Sequence, residues 1–223
     1  VIRDPDFFFN NPYRPTMPMD ELAASYGDAK EVVTSGATRD YGRPSYWTGN
    51  FFPDMSAWDN LRDHSGRGAG GSVVNIRFAG HPMGTHMSVF PNGTYKKAHR
   101  HGPGRLIVIP GGEGYSLLWE EGQEKIVVPW QQDSVFVPPE HWYHQHFNVG
   151  TIPARYLALG PLPQFSGHLP DSALDAARNE IPYVDEDPWV RQYFEEEVAK
   201  HGGKSLMPDE AYTDPEFRFS RMR

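Results

Sequence analysis

Four of the ten histidines form two pairs in which the partners stand two residues apart. The first pair, His99 and His101, lies in the stretch TYKKAHRH, and the second pair, His144 and His146, lies in HWYHQHFN. Successive side chains of a β-strand alternate between its two faces, so each pair is expected on one face. Neutral imidazole nitrogen is a common ligand for iron, zinc, copper and nickel. The spacing therefore predicts a metal site if the two strands meet inside a barrel.

Three of these histidines are assigned to the metal, and the fourth is placed beside it. His99, His101 and His144 are the predicted ligands, because three protein ligands leave positions open for water, oxygen or a substrate. His146 is expected to contact the substrate or a ligand. For six other histidines we expect an ordinary structural role: His64, His81, His86, His141, His168 and His201.

The region 71–163 predicts a β-structure that could bring the two pairs together. About nine short segments are rich in β-branched and aromatic residues, at intervals of about ten residues, and turn-forming stretches such as PNG, GPG and PGGEG separate them. The segments are SVVNIRF, THMSVF, TYKKAHRH, RLIVI, YSLLW, KIVVPW, SVFVP, HWYHQHFN and ARYLALG. Because no helical pattern lies between them, we expect an antiparallel sandwich or barrel.

Two regions of different composition flank the predicted barrel. Residues 1–70 open with a stretch rich in proline and aromatic residues and continue into a Gly-, Ser- and Asp-rich segment, which predicts an extended arm and an irregular region packed on the barrel. Residues 164–223 are expected to form a short helical tail. The aromatic arm and the unpaired strand edges would be shielded from solvent by a second copy of the chain, so we expect a homodimer or a higher homo-oligomer.

One helix of the tail has clear boundaries in the sequence. Asp187 followed by Pro188 matches a helix N-cap with proline at the first helical position, and the HGG stretch at 201–203 is a stop signal. Asp185 and Glu186 precede this start. Negative charge is favourable at a helix N-terminus without any catalytic role, and that is the role expected for these carboxylates.

Composition argues against several classes of function. The net charge is −8 and no run of lysine or arginine is present, so we expect no binding to nucleic acid. No apolar stretch is long enough to span a bilayer, and neither a signal peptide nor a membrane partner is expected. The sequence contains no cysteine, which excludes disulfides, thiolate metal sites and thiol nucleophiles and is compatible with the cytoplasmic location that we expect.

Both histidine stretches resemble the paired motifs of the cupin superfamily. In the first cupin motif five residues separate a glycine from H-x-H, as in GTYKKAHRH, which begins at Gly93. The second runs from a proline to a histidine and then to an asparagine, as in PEHWYHQHFN, which begins at Pro139. The resemblance implies a double-stranded β-helix, which is an all-β jelly-roll barrel with a metal ion inside.

One ligand of the usual cupin site is missing from this sequence. Cupins commonly have a glutamate shortly after the H-x-H pair, and Arg105 or a neighbour stands there instead. Three neutral histidines leave the full charge on a divalent ion and favour anionic, chelating substrates. Among cupins this pattern resembles the ring-cleaving dioxygenases of gentisate and salicylate type, whose motifs are comparable to HRH at 99–101, GEGY at 112–115 and HQHFN at 144–148.

This second resemblance implies a non-heme Fe(II) dioxygenase of aromatic catabolism, which cleaves a carbon–carbon bond of a hydroxylated aromatic acid or a similar oxygen chelator with O2. It implies His144 as a ligand and His146 as a hydrogen-bond partner of the substrate. Those enzymes also use an arginine, at the position of Ile107 in this chain. Here we expect Arg105 or Lys97 to neutralise the anionic group of the substrate, and the alternative for Arg105 is a surface role at the GPG turn. Lys97 shares a face with His99 if their strand is regular.

The chain also departs from those dioxygenases. It has one pair of motifs where they have two, Gln145 replaces an acidic residue, and one more residue separates the proline pair from the histidine. Imidazole suits Mn, Ni, Zn and Cu as well as iron, so the same triad could serve a non-redox lyase, isomerase or decarboxylase. A ligand-binding cupin without turnover is the third candidate. In each case the expected partner is a small anionic molecule.

Overall fold

The computed structural model describes residues 30–33, 45–49, 51–52, 54–56, 62–63, 68–78, 83–102, 104–161 and 179–219. These residues belong to two compact units. The smaller unit takes in residues 30–33, 45–49, 51–52, 75–78, 83–84 and 161, and the larger unit contains the others. The extended arm predicted at the N-terminus lies outside the described residues.

The smaller unit contains paired strands from the first part of the chain. Strand β1 (Lys30–Val33) pairs antiparallel with β2 (Ser45–Thr48), and β2 pairs in parallel with the end of β4 (Ser72–Arg77). The guanidinium carbon of Arg77 lies 4.0 Å from the ring centre of Tyr46, which is a cation–π contact between these strands. None of the site residues predicted from the sequence falls in this unit.

The larger unit is a barrel of short strands. The strands that lie wholly or mostly in it are β3 (Arg62–Asp63), β5 (Met83–Phe90), β6 (Thr94–Tyr95), β7 (Ala98–His99), β8 (Leu106–Gly111), β9 (Glu113–Trp119), β10 (Ile126–Gln131), β11 (Val135–Phe136), β12 (Tyr143–Asn148), β13 (Ala154–Pro161) and β14 (Glu180–Ile181). In the first sheet the spatial order is β5, β13, β8, β11. In the second sheet it is β10, β9, β12, β7, β14, with β6 also paired to β12.

The chain crosses between the two sheets after almost every strand, and this defines a jelly roll. Strand β5 lies in the first sheet, β6 and β7 in the second, β8 in the first and the β9–β10 hairpin in the second. Strands β11, β12 and β13 then alternate again. This is the order of a double-stranded β-helix. The predicted all-β jelly-roll fold is therefore confirmed.

One extra residue interrupts the strand that precedes the first histidine pair. Beyond the point where Tyr95 pairs with Phe147, an unbroken antiparallel ladder would place Ala98 opposite His144. The structure pairs His99 with His144 instead. The excess of one residue defines a β-bulge between β6 and β7, where the sequence pattern predicts one continuous strand.

The bulge changes which side chains face the barrel interior. Ala98 belongs to the hydrophobic core outside the second sheet, whereas Lys96 is 1% exposed and lies against aromatic rings of the barrel core. Lys97 faces outward, and its Nζ lies 3.3 Å from a carboxylate oxygen of Glu180. The predicted shared face of Lys97 and His99 is therefore wrong, because the extra residue shifts the alternation by one position.

The C-terminal tail packs on the outer face of the second sheet. It contains β14, a 3-10 turn (Tyr183–Asp185), helix α1 (Pro188–Lys200) and helix α2 (Glu210–Thr213). Three buried side chains, spaced about one helical turn apart, join α1 to the hydrophobic core of the sheet: Val190, Phe194 and Val198. The tail belongs to the same compact unit as the barrel strands, so it is part of the folded core.

Helix α1 begins and ends where the sequence predicts. Asp187 is its N-cap, and Oδ1 of this residue accepts a hydrogen bond of 3.0 Å from the amide of Trp189, with Pro188 at the first helical position. The helix ends at Lys200, immediately before the HGG stretch. Within the described part of the chain, no helix is long and apolar enough to cross a membrane.

Glu186 has a second role that the sequence does not reveal. The residue is partly exposed, but its carboxyl oxygens point inward and accept hydrogen bonds of 2.6 Å from the hydroxyl of Tyr95 and from the side-chain amide of Gln145. Both partners are fully buried. Burial raises the pKa of Glu186 to about 7, although both hydrogen bonds favour the ionised form.

Replacing Glu186 by glutamine should remove a pH dependence from the stability of the fold. A carboxyl group whose pKa rises on folding stabilises the folded state at low pH, and this contribution is lost as the pH rises through the folded-state pKa. With that pKa at about 7, the unmodified protein should lose roughly 2 kcal/mol from this group between about pH 5 and pH 8, after allowance for partial exposure. Urea titrations across this window measure the free energy of unfolding of both proteins.

Glu195→Gln is the matched control for this comparison, because Glu195 is a more exposed carboxylate on the same tail. The stability of Glu186→Gln should increase relative to the unmodified protein as the pH rises. The control reports the effect of removing an exposed negative charge. A difference between Glu186→Gln and the unmodified protein that stays constant from acid to alkaline pH would show that no desolvated carboxyl group titrates at this position.

Candidate metal centre

The structure brings the three predicted ligands together inside the barrel. His99, His101 and His144 each offer one ring nitrogen, and these nitrogens all lie within 4.8 Å of one another. The ring centre of His144 is 4.2 Å from that of His99 and 4.9 Å from that of His101. No other group of three His, Asp or Glu side chains in the described part of the chain is arranged to hold a metal ion.

Two neighbouring strands of the second sheet supply these ligands. His99 ends β7 and pairs directly with His144 on β12, and the bulge before β7 turns the side chain of His99 into the interior that His144 faces. His101 follows two residues after β7. Its carbonyl oxygen accepts a hydrogen bond of 3.1 Å from the amide of His141, which holds this segment against the start of β12.

Backbone carbonyls fix the orientation of two of the three rings. Nδ1 of His99 lies 3.2 Å from the carbonyl oxygen of Lys97, and Nδ1 of His144 lies 3.2 Å from that of Trp142. A carbonyl oxygen can only accept, so Nδ1 carries the proton in each ring and Nε2 has the lone pair that can bind a metal ion. A hydrogen bond at the nitrogen that does not ligate is typical of metal-binding histidines.

The donor set fits a divalent transition metal. Imidazole nitrogen suits iron, zinc, copper and nickel, whereas magnesium and calcium prefer oxygen ligands. The cluster contains no carboxylate, so a bound divalent ion would keep its full charge and attract anionic ligands. Three protein ligands also leave coordination positions for water or a substrate.

A narrow cavity opens onto the three histidines. Its volume is about 30 Å³, the space of about two water molecules, so an ion and a small chelating group would fill it and the rest of a larger substrate would lie toward the mouth. Among the described residues, no acidic side chain lines it. The lining residues besides the three ligands are His86, Gly104, Arg105, Ile107, Pro138, Pro139, His146, Tyr156 and Ala158.

His146 lies beside the cluster as a neutral imidazole. Its ring centre is 5.7 Å from that of His144, and burial lowers its pKa to about 3, with a further contribution from the positive charge of Lys96. Nδ1 of His146 lies 2.7 Å from Oγ of Ser116, and this oxygen accepts a hydrogen bond of 3.0 Å from the indole N–H of Trp130. The arrangement that satisfies all three groups has the Ser116 hydroxyl donating to Nδ1 and the ring proton on Nε2.

The two cationic side chains predicted to bind the substrate lie in different places. Arg105 lines the cavity and packs against Gly160, where an added Cβ would lie 3.1 Å from Cγ of the arginine. Lys97 does not line the cavity, because it faces the outside of the sheet like Tyr95, and there it pairs with Glu180. Of the two, only Arg105 lines the cavity beside the three histidines.

The sequence predictions miss three residues around the site: His86, Lys96 and Tyr156. His86 lines the cavity with its ring centre 6.0 Å from that of Tyr156, which is in turn 5.0 Å from the ring of His146. Lys96 is buried in the barrel, with Nζ 2.5 Å from Oγ of Ser88. Side chains alternate along β5, so His86 faces the barrel interior together with Ser88, two residues later. This alternation could have identified His86. Alternation counted back from His99 places Lys96 on the opposite face of its strand, and the bulge is the reason that this count is wrong.

The six histidines expected to have an ordinary structural role lie in different surroundings. His141 is exposed beside Glu140, and His201 lies on the tail with Nε2 3.4 Å from a carboxylate oxygen of Glu113, so both have the structural role expected for them. His86 is the exception, since it lines the cavity. Three others lie outside the described residues: His64, His81 and His168.

Comparisons with known proteins show partial structural similarity. No protein-family model matches the sequence, and no curated protein matches it. An oxalate decarboxylase from Lactobacillus farciminis in complex with formate has a TM-score of 0.41 and 18% identity, over 54% of this chain and 41% of that chain. This chain therefore spans about two fifths of the length of that enzyme.

Two further solved structures are similar to part of the chain. The Cnp3 cupin domain of Schizosaccharomyces pombe has a TM-score of 0.43 and 14% identity, over 64% of this chain and 93% of that chain. An RmlC-like cupin from Shewanella frigidimarina has a TM-score of 0.37 and 15% identity, over 45% of this chain and 80% of that chain. The assignment of the jelly-roll fold rests on the strand order described above and not on these likenesses.

Replacing His99, His101 or His144 singly by alanine should abolish stoichiometric metal binding, because each is one of the three predicted ligands. Plasma mass spectrometry after anaerobic loading with Fe(II) and desalting measures the metal bound per chain. His201→Ala is the matched control and should keep its metal, since His201 lies on the tail. If His144→Ala bound as much metal as the unmodified protein, the ligand set would be wrong and His146 would be the next candidate.

Proposed function

We propose that this protein is a metal-dependent enzyme that binds Fe(II) through three histidines and cleaves a carbon–carbon bond of an oxygen-chelating acid with O2. The substrate class is a hydroxylated aromatic acid, as the sequence resemblance implies, or a smaller acid that chelates in the same way. The observation that carries the proposal is the convergence of three imidazoles on a cavity that Arg105 and the neutral His146 also line. Iron(II), when bound, supplies redox chemistry that side chains alone cannot provide.

Arg105 is the residue that we assign to the anionic group of the substrate. A guanidinium group can donate two parallel hydrogen bonds to a carboxylate, which fixes both its distance and its orientation. Because the metal ligands add no negative charge, an acid entering the cavity would meet positive charge from both the ion and the arginine. This charge complementarity favours acids over neutral chelators.

His146 is assigned to a substrate oxygen. With Nδ1 occupied by Ser116, the ring has an N–H group at Nε2 to donate. Burial keeps the ring neutral, since its pKa is lowered to about 3. Ile107 and Ala158 give the same cavity apolar walls that reduce the access of water, and hydrogen bonds are stronger in a site that excludes water.

The same residues support a second candidate, a non-redox reaction catalysed by a lyase, isomerase or decarboxylase. The imidazole donors also suit zinc, manganese, nickel and copper. The observation that favours this candidate is the hydrogen bond between Ser116 and His146, which gives the site a neutral pair able to move a proton to or from a substrate. This chemistry requires no change in the oxidation state of the metal.

Oxygen uptake by the Fe(II)-loaded protein tests the proposed function. We expect consumption of O2 on addition of a hydroxylated aromatic acid such as gentisate or salicylate, or of a smaller hydroxy acid, and none with the metal-free or Zn(II)-loaded protein. An oxygen electrode screens the acids, and mass spectrometry identifies the cleaved product. Turnover without oxygen would contradict the dioxygenase and support the non-redox candidate, and binding without any turnover would support a ligand-binding protein.

Two variants separate substrate binding from metal binding within the same assay. Arg105→Ala and His146→Ala should each retain the metal and lose at least about tenfold in kcat/KM, which is about 1.4 kcal/mol of transition-state stabilisation. The loss should be larger for carboxylated than for neutral substrates. Lys97→Ala is the matched control, because it removes a cation on the outside of the sheet. Unchanged kinetics in both cavity variants would contradict the roles assigned to them.

A further inference from the structure

The C-terminal tail places a carboxyl group behind the two strands that carry the metal ligands. One oxygen of Glu186 accepts a hydrogen bond from the hydroxyl of Tyr95, and the other accepts from the side-chain amide of Gln145, each at 2.6 Å. Both partners are 0% exposed, so these contacts lie on the inward side of Glu186. A single side chain of the tail therefore bonds to two different strands of the second sheet.

The two partners flank the features that set the geometry of the site. Tyr95 is the last residue of β6, immediately before the bulge that turns His99 into the barrel. Gln145 lies between His144 and His146 on β12 and faces the opposite side of the sheet. Glu186 thus joins the two strands at the bulge, on the side away from the imidazoles.

The energetics of this carboxyl group favour a role in fixing strand register. Removing a carboxylate from water carries a desolvation penalty, which hydrogen bonds offset only in part. The neighbouring carboxylates, Asp185 and Asp187, are exposed and avoid that penalty. The hydroxyl of Tyr95 also lies 3.1 Å from that of Tyr212 on α2, which extends the network to a second element of the tail.

We propose that Glu186 is a positioning residue for the metal centre, whose carboxyl group holds β6 and β12 in the bulged register that makes His99 and His144 converge. The inference rests on the proposed function only in requiring that the three histidines bind a metal ion. It gives the tail a part in the geometry of the site, in addition to covering the sheet.

Cobalt(II) is the probe for this inference, because its visible absorption reports both affinity and ligand geometry. Anaerobic titration of the full chain with cobalt(II) chloride should show one bound ion in the unmodified protein. Glu186→Ala should bind cobalt at least about tenfold more weakly and with altered absorption bands, as expected when a partner that orients metal ligands is removed. If Glu186 only stabilised the tail, Glu186→Ala would lower the melting temperature without changing the cobalt absorption bands.

Glu186→Gln tests whether the hydrogen bonds are responsible for the effect. Its side-chain oxygen can still accept from Tyr95, and its amide can donate to Oε1 of Gln145, which has no hydrogen-bond partner among the described residues. This variant should therefore recover most of the cobalt affinity and the absorption bands of the unmodified protein.

Val198→Ala is the matched control for loss of packing, because Val198 is a buried apolar residue of the same tail outside this hydrogen-bond network. It should melt at a lower temperature and keep the cobalt affinity. If Glu186→Ala does not fold, Glu186→Asp replaces it, since the shorter side chain cannot reach both partners. Unchanged affinity and bands in the variant that folds would overturn the inference, whereas no cobalt binding by the unmodified protein would overturn the proposed function.

Discussion

A bulge of one residue between β6 and β7 is the constraint on which the candidate site depends. Without it, Ala98 would pair with His144, and the imidazole of His99 would not share the barrel interior with its partner. A shift of one residue moves every following side chain of a strand to the other face. The bulge therefore determines that His99 faces inward on the same side as Lys96, whereas Lys97 faces the tail.

The burial of β12 on both faces complements this bulge. All six residues of the strand are buried, with imidazoles on the inside and Tyr143, Gln145 and Phe147 on the side of the tail. The ring of Phe147 stacks on Tyr95 at 4.7 Å and on Tyr115 at 4.5 Å between ring centres. A strand that is packed on both sides has little freedom to move, so the tail and the barrel together hold the imidazoles in place.

Local patterns in the sequence predict much of this arrangement, because they depend on neighbouring residues alone. The spacing of the histidines, the alternation along β12 and the start of α1 are properties of short segments, and the structure agrees with each of them. The bulge arises from pairing between distant strands, so no local signal distinguishes Lys96 from Lys97. The role of Glu186 is hidden for the same reason, since its partners Tyr95 and Gln145 lie 91 and 41 residues away.

Anomalous diffraction at the iron absorption edge, from crystals grown with Fe(II) in the absence of oxygen, tests the metal assignment most directly. We expect one peak inside the barrel, about 2 Å from a ring nitrogen of each of His99, His101 and His144 and bound to no carboxylate. For His99 and His144 that nitrogen should be Nε2, because Nδ1 is held by a backbone carbonyl. A barrel without a peak, or an ion held by a different set of side chains, would contradict the assignment.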